Sequence, residues 1–461
     1  MTILNIFIGG DCLKFNTGRK VMVGYKIIRK YLVAGIILLF IGACVIPATA
    51  QNIEKSQSTS EGNWLYVGGS GPGNYTKIQD AIDASSDGDM VFVFDDSSPY
   101  YEKVEVNKKI DLVGENKNTT IIDGGGTGDV INISAHRVTI SGFTIRNSGD
   151  FFTQFDYNFW ENDACIQLVN RSCCRITNNL IQQYSIGIFI YSADDIFISD
   201  NLLLYDTHGI EVRKTNCIVF LKNTIIGNAE SIYLTECTNI NLTENNVIGC
   251  SYRSIVLFRI EKCNVFGNKI IGPDSDYGFE IRLSKQINIS RNLIQGGETG
   301  VEVSSSTNII FSWNTISNTS TGIELFTYPA EDLLSFTVEI YRNNIMSNFI
   351  GVYIINSYRI YVQENNFIMN NQSGFFTLNM GHLMRNSVVK VFFEGLIQDL
   401  LDQNHWKNNY WDSNTNVRWK CIIGELSYWV GSGHSQFRNS LLWVNFDWHP
   451  AQEPYDISGM R

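Results

Sequence analysis

The sequence predicts an all-β protein of the right-handed parallel β-helix class, and two periodic phrases predict it. The phrase "apolar-x-x-Asn-x-apolar" returns about every 22 residues, as in EIYRNNIMSNFIGVYI at 339–354. A second phrase, "Gly-apolar-x-apolar", begins eight to ten residues after each Asn and drifts in step with the first. Two phrases that keep a common period indicate a repeat in which each unit is one turn of a solenoid.

Each repeat unit holds three short apolar runs separated by turn residues, for example IGIFI (186–190), DIFIS (195–199) and NLLL (201–204). One such unit cannot bury its own apolar face, so successive units must stack with strands about 4.8 Å apart. The expected product is a three-sheet solenoid of about ten coils, roughly 50 Å long by that spacing.

The asparagine of the first phrase is expected to turn the same corner of every coil. Asn tolerates left-handed backbone angles and its amide bonds neighbouring main chain, so the side chains can stack as a ladder. The Gly of the second phrase is expected to permit the next corner. The asparagines assigned this structural role are Asn179, Asn201, Asn223, Asn245, Asn268, Asn292, Asn314, Asn343, Asn365 and Asn386.

The segments outside the regular repeat divide the chain into four parts. We predict an N-terminal extension with a signal peptide at 1–50, a linker at 51–62, the β-helix at 63–395 and a Trp-rich C-terminal cap at 396–461. A short amphipathic helix, roughly Tyr75 to Ala84, is expected to cover the open end of the first coil, where strand edges would otherwise be unpaired.

The first 50 residues have the order of an export signal. Basic residues precede an apolar run at 31–46, and the small residues Ala48, Thr49 and Ala50 follow it. An uncleaved membrane anchor is an alternative, although 16 apolar residues fall short of a normal span. Lipid attachment at Cys44 is a third possibility. We expect a secreted or cell-surface protein that meets a membrane only through an uncleaved leader.

The net charge restricts the class of binding partner, and the cysteine pattern indicates the state of the thiols. Without residues 1–50 the chain has 29 Lys and Arg against 45 Asp and Glu, a net charge of −16 compared with −11 for the whole chain. This acidic balance disfavours nucleic acid as a partner. The eight cysteines beyond the leader show no CxxC pair and no disulfide-scaffold density, so most are expected to be packed thiols.

Several phrases resemble a known family. The run IQDAIDASSDGD, then IDLVGENKNTTIIDGG and ISGFTIRNSG, followed by units ending in NNYWD, is similar to NosD-like and pectin-lyase-like right-handed parallel β-helix proteins. The likeness covers about 63–450, and the segment WVNFDWHP looks like that of exported archaeal members. The resemblance implies the fold. It implies several activities at once, because the group includes lyases, hydrolases, epimerases and adhesins.

NosD itself is linked to copper-site maturation, so the resemblance also implies a metal role. The residues give this little support. The six histidines are scattered along the chain, and no Met or Cys cluster has the spacing of soft ligands.

The candidate binding face is formed by the outward positions of the strand that contains the second phrase, "Gly-apolar-x-apolar". Residues two and four positions after each Gly are expected to point to solvent. They combine carboxylates, aromatic rings and arginines, which suits a sugar surface, since rings stack on pyranoses and charged groups bond hydroxyls. The candidate binding residues on this face are Glu211, Arg213, Tyr233 and Phe258.

Three glutamates on this face, Glu280, Glu302 and Glu324, should stack on consecutive coils. Repulsion at about 5 Å is roughly 1 kcal/mol per pair in water and about 3 at an effective dielectric of 20. Arg282, a bound cation such as calcium, solvent screening or a raised pKa would relieve it. The set is therefore a solvated acidic ladder, a cation or glycan site, or the catalytic group of a lyase or glycosidase. No other cofactor is expected.

Two insertions break the period. The segment at 149–164 carries aromatics among acids, of which Phe155, Tyr157 and Trp160 are candidate binding residues, and a second insertion lies near 327–334. Long loops on a rigid scaffold often carry recognition. Packing of these rings against the shaft is the alternative.

The stretch DTHGIEVR and an acidic pair faintly resemble the active strands of polygalacturonase-like enzymes. The resemblance would give roles to His208, Asp194 and Asp195. The chain lacks a clear NTD motif and an RIK-like motif, which puts these roles in doubt.

These observations lead to three functional hypotheses. The leading one is an exported protein that binds polysaccharide or another cell-envelope component. The alternative is a carbohydrate-active enzyme, a polysaccharide lyase or glycoside hydrolase. The third is NosD-like copper-site maturation.

Overall fold

The structure is a computed structural model, and it describes residues 62–150, 162–204, 207–272, 275–327, 337–355, 357, 359–379, 405–411, 420–430, 437–447 and 450–457. Over these residues the chain forms a β-solenoid of three stacked sheets, which confirms the predicted fold class. Each coil contributes one strand to sheet 2, then one to sheet 1, then one to sheet 3.

Sheet 1 contains β1 (Trp64–Val67), β2 (Met90–Val93), β5 (Asp111–Gly114), β8 (Thr139–Ser141), β11 (Arg175–Thr177), β14 (Asp194–Ser199), β17 (Asn216–Leu221), β20 (Thr238–Thr243), β23 (Glu261–Phe266), β26 (Lys285–Ser290), β29 (Thr307–Ser312), β32 (Thr337–Tyr341), β35 (Ile360–Gln363) and β38 (His405–Lys407).

Sheet 2 contains β4 (Val104–Val106), β7 (Ile131–Ile133), β10 (Ala164–Val169), β13 (Ile186–Tyr191), β16 (His208–Arg213), β19 (Glu230–Thr235), β22 (Arg253–Phe258), β25 (Tyr277–Arg282), β28 (Thr299–Ser304), β31 (Thr321–Phe326), β34 (Ile350–Ile355), β37 (Gln372–Asn379), β40 (Lys420–Val430) and β41 (Phe437–Asp447).

Sheet 3 contains β3 (Tyr100–Tyr101), β6 (Ile121–Asp123), β9 (Thr144–Arg146), β12 (Leu180–Gln182), β15 (Leu202–Leu204), β18 (Thr224–Ile226), β21 (Asn246–Ile248), β24 (Lys269–Ile271), β27 (Leu293–Gln295), β30 (Thr315–Ser317), β33 (Asn344–Met346), β36 (Asn366–Ile368) and β39 (Tyr410–Trp411).

Equivalent residues of successive coils stand directly above one another. In sheet 2, Ile188 pairs with Ile210, which pairs with Ile232 on the next coil. These inward side chains belong to one continuous apolar core that runs from Val67 to Trp411. A single core shared by all coils explains why the 22-residue unit cannot fold alone and why its phase is held so strictly.

The asparagine ladder is continuous in the structure and lies inside the corner. Asn223 Nδ2 donates to Asn245 Oδ1 at 3.1 Å and to the Ile198 carbonyl at 2.9 Å, while its backbone N–H donates to the same Oδ1 at 3.0 Å. The same pattern runs from Asn179 to Asn365, with the backbone and side-chain nitrogens of each asparagine donating to the Oδ1 atom of the next one.

The last rung differs from the predicted one. Asn365 donates to Asn409 Oδ1 through both its backbone and side-chain nitrogens. Asn386, the residue predicted for this position, lies outside the described residues. The ladder therefore skips 44 residues of sequence, because a rung is selected by stacking and not by constant spacing along the chain.

The backbone angles contradict the expectation that the ladder asparagines themselves turn the corner in a left-handed conformation. The residue before each ladder asparagine is the one that turns the corner: Lys222 has φ 55°, Glu244 has φ 53° and Trp313 has φ 61°. The ladder asparagines are not left-handed. Their amides instead satisfy buried carbonyls and N–H groups that the corner would otherwise leave without partners.

The phrase glycines also act differently from the prediction. Gly187 and Gly300 do not have positive φ. A Cβ on either would lie 2.6 Å from the carbonyl oxygen of the matching glycine on the next coil. Close approach of neighbouring backbones, and not a left-handed corner, therefore favours glycine at these positions.

The predicted N-terminal helix is present as α1 (Ile78–Ala84) and begins three residues later than expected. Its inner face buries Ile78, Ala81 and Ile82 against the core. The Glu102 carboxylate accepts the N–H groups of Ile78 and Gln79 at 2.9 and 3.1 Å. It thereby caps the first turn, where backbone donors lack helical partners and negative charge is favoured.

The C-terminal region contributes strands to the solenoid before it closes. Strands β38, β39 and β40 extend all three sheets within the predicted cap, and β41 then pairs antiparallel with β40. Trp411 stacks on Phe367 with ring centroids 4.5 Å apart, and its Nε1 donates to Asp447 at 3.2 Å. The predicted leader and nearly all of the predicted linker lie outside the described residues.

Candidate functional site

The outer face of sheet 2 presents three columns of side chains. They come from the first, fourth and sixth residues of each strand, as the separate outer cluster of Ala164, Ile186 and Phe189 with Val169 and Tyr191 shows. The third and fifth residues point into the core. The fourth and sixth columns are the ones predicted from the sequence, and the first is additional.

The fourth column brings the three predicted glutamates together. Glu280 pairs in register with Glu302, and Glu302 with Glu324. Successive strands of a sheet lie about 4.8 Å apart, so these carboxylates belong to neighbouring coils. The stacking expected from the sequence is therefore the arrangement in the structure.

The expected exposure of this column is wrong. Only 1% of Glu211, 4% of Glu280 and 8% of Glu302 is exposed. The Arg213 guanidinium folds back on Glu211, and Arg282 folds back on Glu280 in the same way. Long side chains from the sixth column thus cover the carboxylates of the fourth, an effect that strand alternation alone does not predict.

A chain of ionisable side chains crosses four coils of this face. His208 Nε2 lies 3.2 Å from Glu230 Oε2, and Arg253 Nη1 lies 3.7 Å from Glu230 Oε1. Arg253 Nε then approaches Glu280 Oε2 at 3.2 Å, and Arg282 Nη1 approaches the other oxygen of Glu280 at 3.1 Å. Glu280 therefore lies within ion-pair distance of two guanidinium groups.

Glu230 and Arg253 were missed from the sequence because they occupy the first column. Each lies one residue before the serine that replaces the phrase glycine, at Ser231 and Ser254. Reading that column in the same register would have placed them between His208 and Tyr277. His208, a candidate site residue from the sequence, is buried and is the first member of this chain of ionisable side chains.

Glu302 differs from Glu280 because no arginine binds it directly among the described residues. Burial raises the pKa of Glu302 to about 7, and the charges of Glu280 and Glu324 add to the shift. Arg282 and a hydrogen bond from Tyr277 oppose it. Burial also raises the pKa of Glu324, and it raises the pKa of Tyr277 to about 12. Glu302, which is next to the ion-paired Glu280, is thus a carboxyl group that titrates near neutral pH.

The other predicted binding residues border this site. The Arg213 guanidinium lies 5.8 Å from the centre of the Tyr233 ring, and the Arg282 guanidinium lies 6.0 Å from the Phe258 ring. Both rings are half-buried. The predicted insertion residues Phe155, Tyr157 and Trp160 lie outside the described residues, as does almost all of the second insertion.

Asp194 and Asp195 do not join His208. Both aspartates are exposed at the start of β14 in sheet 1, whereas His208 is buried in sheet 2 beside Glu230. The arrangement implied by the faint resemblance to polygalacturonase-like enzymes is therefore absent at these three residues.

The described residues do not fit a copper site. Within them, no group of three or more His, Cys, Asp or Glu side chains is arranged to hold a metal ion, and this includes Glu280, Glu302 and Glu324. The seven described cysteines are free thiols. Burial raises the pKa of Cys174 and Cys250, and that of Cys237 to about 11, which disfavours the thiolate that soft metals bind.

Three sheets of parallel strands stacked coil on coil are the architecture of the parallel β-helix class of proteins. Two family models match this chain: "Periplasmic copper-binding protein (NosD)" over residues 116–281 and "Right handed beta helix region" over residues 258–393. The chain is a NosD-like right-handed β-helix protein. No curated protein sequence matches it. In the described part of the chain, no helix is long and apolar enough to span a bilayer.

Several solved structures are similar to this chain at low sequence identity. The mannuronan C-5 epimerase AlgE4 A-module of Azotobacter vinelandii is 15% identical with a TM-score of 0.49, over 64% of this chain and 92% of that one. The GH136 lacto-N-biosidase of Eubacterium ramulus is 11% identical with a TM-score of 0.47, over 67% and 68%. The Dettilon tailspike protein is 12% identical with a TM-score of 0.46, over 68% of each chain.

Proposed function

We propose that this protein is exported and binds polysaccharide or another envelope component on the outer face of sheet 2. The proposed site is centred on Arg282. Its side chain is 38% exposed, contacts Glu280 and approaches the Phe258 ring. This junction of an aromatic ring, a guanidinium and carboxylates on neighbouring coils is the observation that carries the proposal.

The chemistry of the junction suits a sugar. An aromatic ring offers a face to the C–H groups of a pyranose, and charged side chains offer strong donors and acceptors to its hydroxyls. Glu280 is already oriented by Arg253 and Arg282, so little side-chain freedom would be lost on binding. Half-buried Tyr277 and Glu324 border the same site and extend it along the solenoid.

A glycan array with the purified chain, with and without added calcium, tests this proposal. We expect binding to at least one glycan, and at least tenfold weaker binding in Arg282→Gln and in Glu324→Gln. Lys285→Gln is the matched control, because Lys285 is an exposed, ion-paired residue of sheet 1. Binding of no glycan, or equal binding by all three variants of unchanged melting temperature, would refute it.

The second candidate is a carbohydrate-active enzyme, and the contrast between Glu280 and Glu302 favours it. Glu280 is ion-paired with two arginines, while the pKa of Glu302 on the next coil is about 7. A carboxyl group whose pKa lies near neutral pH suits acid–base work. Strand spacing of about 4.8 Å is close to the separation of about 5 Å that retaining glycosidases use.

Incubation with a panel of uronate and neutral polysaccharides tests the enzymatic alternative. Unsaturated products would indicate a lyase, and new reducing ends would indicate a hydrolase. We expect such products to vanish in Glu302→Gln and persist in Glu339→Gln, which alters an exposed residue of sheet 1. No product from any polymer, or products unaffected by Glu302→Gln, would exclude this role for Glu302.

A further inference from the structure

A second surface at the N-terminal end of the solenoid is rich in aromatic rings. Trp64 and Tyr66 of β1 and Phe92 of β2 point outward from sheet 1, and Phe94 continues the row. Neighbouring ring centroids are 5.1 to 6.3 Å apart. Trp64 is 55% exposed and Tyr66 38% exposed. These four residues form what we call the aromatic platform.

A polar groove lies at the corner that precedes sheet 1, mostly on the coils that follow the aromatic platform. Trp64 pairs in register with Met90, and Met90 with Asp111. Lys109, two residues before Asp111, lines an open groove of about 450 Å³ together with Asp87, Asn107, His136 and Arg137. Among the described residues, neither Lys109 nor Arg137 is in an ion pair. The rings and the first hydrogen-bonding groups of the groove therefore lie within about two coils of each other at the N-terminal end of the solenoid.

The charge pattern around the aromatic platform selects the occupant. The rim alternates acids and bases, with Asp87 and Asp111 beside Lys109 and Arg137, and all four are exposed. Asp95 and Asp96 directly follow Phe94, so the surroundings of the platform offer no positive field to a polyanion or an anionic membrane. The rim offers donors and acceptors to a neutral, hydroxyl-rich ligand.

Two other occupants fit less well. The segment directly before β1, residues 51–61, contains a single apolar residue, Ile53, so it offers no apolar cover for four rings. The strip of rings is also narrow, because exposed Asp111 and Arg175 follow on the next coils of sheet 1. A broad apolar protein interface normally needs a larger continuous patch.

We infer that the aromatic platform and its groove bind a neutral polysaccharide, with Trp64 and Tyr66 stacking on pyranose rings and Lys109, Arg137 and Asp87 bonding hydroxyls. This site is separate from the sheet 2 face and takes an uncharged chain. Replacing one ring of the aromatic platform by alanine removes its stacking contact with a pyranose ring, and water does not restore that contact.

Native gel electrophoresis through gels containing hydroxyethylcellulose, galactomannan or arabinoxylan tests this inference, with polygalacturonate as the charged comparison. We expect at least one neutral polymer to retard the purified chain. Retardation should weaken at least tenfold in Trp64→Ala and be restored in Trp64→Phe. Tyr101→Ala is the matched control, because Tyr101 is a 73% exposed aromatic on sheet 3.

Several results would overturn the inference. They are no retardation by any neutral polymer, equal retardation of Trp64→Ala, binding to phosphatidylcholine vesicles that Trp64→Ala abolishes, or a dimer in light scattering that Trp64→Ala dissociates. Arg282→Gln, run on the same gels, separates this site from the sheet 2 face. Retardation that is lost in Arg282→Gln but kept in Trp64→Ala would assign the binding to sheet 2.

Discussion

The asparagine ladder and the glutamate column are both single columns of polar residues repeated coil after coil, yet they are stabilised in opposite ways. Each ladder amide donates to one neighbour and accepts from the other, so identical side chains satisfy one another. Carboxylates only accept. Glu280 therefore needs arginines from two flanking positions, and Glu302, which has none bound directly among the described residues, keeps a proton more readily.

This difference teaches that a stacked column satisfies itself when its side chain carries both a donor and an acceptor, and depends on neighbouring columns and on pH when it does not. The ladder needs nothing outside itself except main-chain groups. The glutamate column depends on other columns and on pH. Four substitutions test this comparison, in order of decreasing expected effect.

The largest effect is expected from Asn245→Asp, which keeps the shape of a ladder rung but removes its donor. The new carboxylate would face Asn268 Oδ1 and the Phe220 carbonyl, both now acceptors for Asn245 Nδ2. A buried charge without a donor partner costs several kcal/mol, so we expect a loss of about 4 kcal/mol or more in urea unfolding. Asn241→Asp, on the half-exposed outer face of sheet 1, should lose less than about 1 kcal/mol. Equal losses would contradict the ladder argument.

Arg253→Gln is expected to have the next largest effect. It removes the cation between Glu230 and Glu280 and leaves two buried carboxylates less compensated. Removing one partner of a buried pair typically costs about 3–5 kcal/mol. Arg259→Gln breaks a surface pair with Glu236 that is more than half exposed on the arginine side, and it should cost less than about 0.5 kcal/mol. A cost for Arg253→Gln below that of the control would show that the charge chain is not coupled.

Glu302 should make stability depend on pH. Its pKa is about 7 in the folded chain against 4.5 for the ordinary side chain, so the folded state keeps a proton that the unfolded chain releases. The contribution of Glu302 is therefore complete below pH 4.5 and is lost as pH rises through about 7. We expect a decrease of roughly 2–3 kcal/mol between pH 5 and 8. Glu302→Gln should flatten the profile and Glu339→Gln should not; an unchanged slope in Glu302→Gln would contradict the assignment.

The smallest effect is expected from Glu244→Gly. Glu244 directly precedes Asn245, the residue for which the largest effect is expected. Glu244 turns the corner with φ 53°, and its partner Lys222 lies 3.7 Å away in an exposed pair. Glycine relieves left-handed strain but adds freedom to the unfolded chain, and the surface pair contributes little. We expect a net change within about 1 kcal/mol of zero in urea unfolding, since Gly267 already occupies this position on the next coil. A loss above about 2 kcal/mol would show that the side chain of the residue before a ladder asparagine contributes to the stability of the fold.

The fold was accessible from the sequence because its information is periodic. Stacking makes residues 22 apart into neighbours, so the two phrases predicted the sheets, the inward columns and most of the ladder. The reason for each corner was not accessible. The left-handed residue varies freely, as Lys222 and Trp313 show, and its backbone angle leaves no compositional trace.

The candidate site was accessible only in part. Register predicted that Glu280, Glu302 and Glu324 would stack. It did not predict that Arg253 from another column would reach Glu280, because side chains with several rotatable bonds choose their partners after the sheet has formed.

The sequence by itself determined the solenoid, its three sheets and the alignment of glutamates on one face, because hydrophobic period and strand alternation are properties of the chain. Only the tertiary structure decided that these glutamates are buried, that two arginines hold one of them and that its neighbour exchanges a proton near neutral pH. Burial and charge pairing depend on distances between side chains from different coils, and those distances exist only after the coils have stacked.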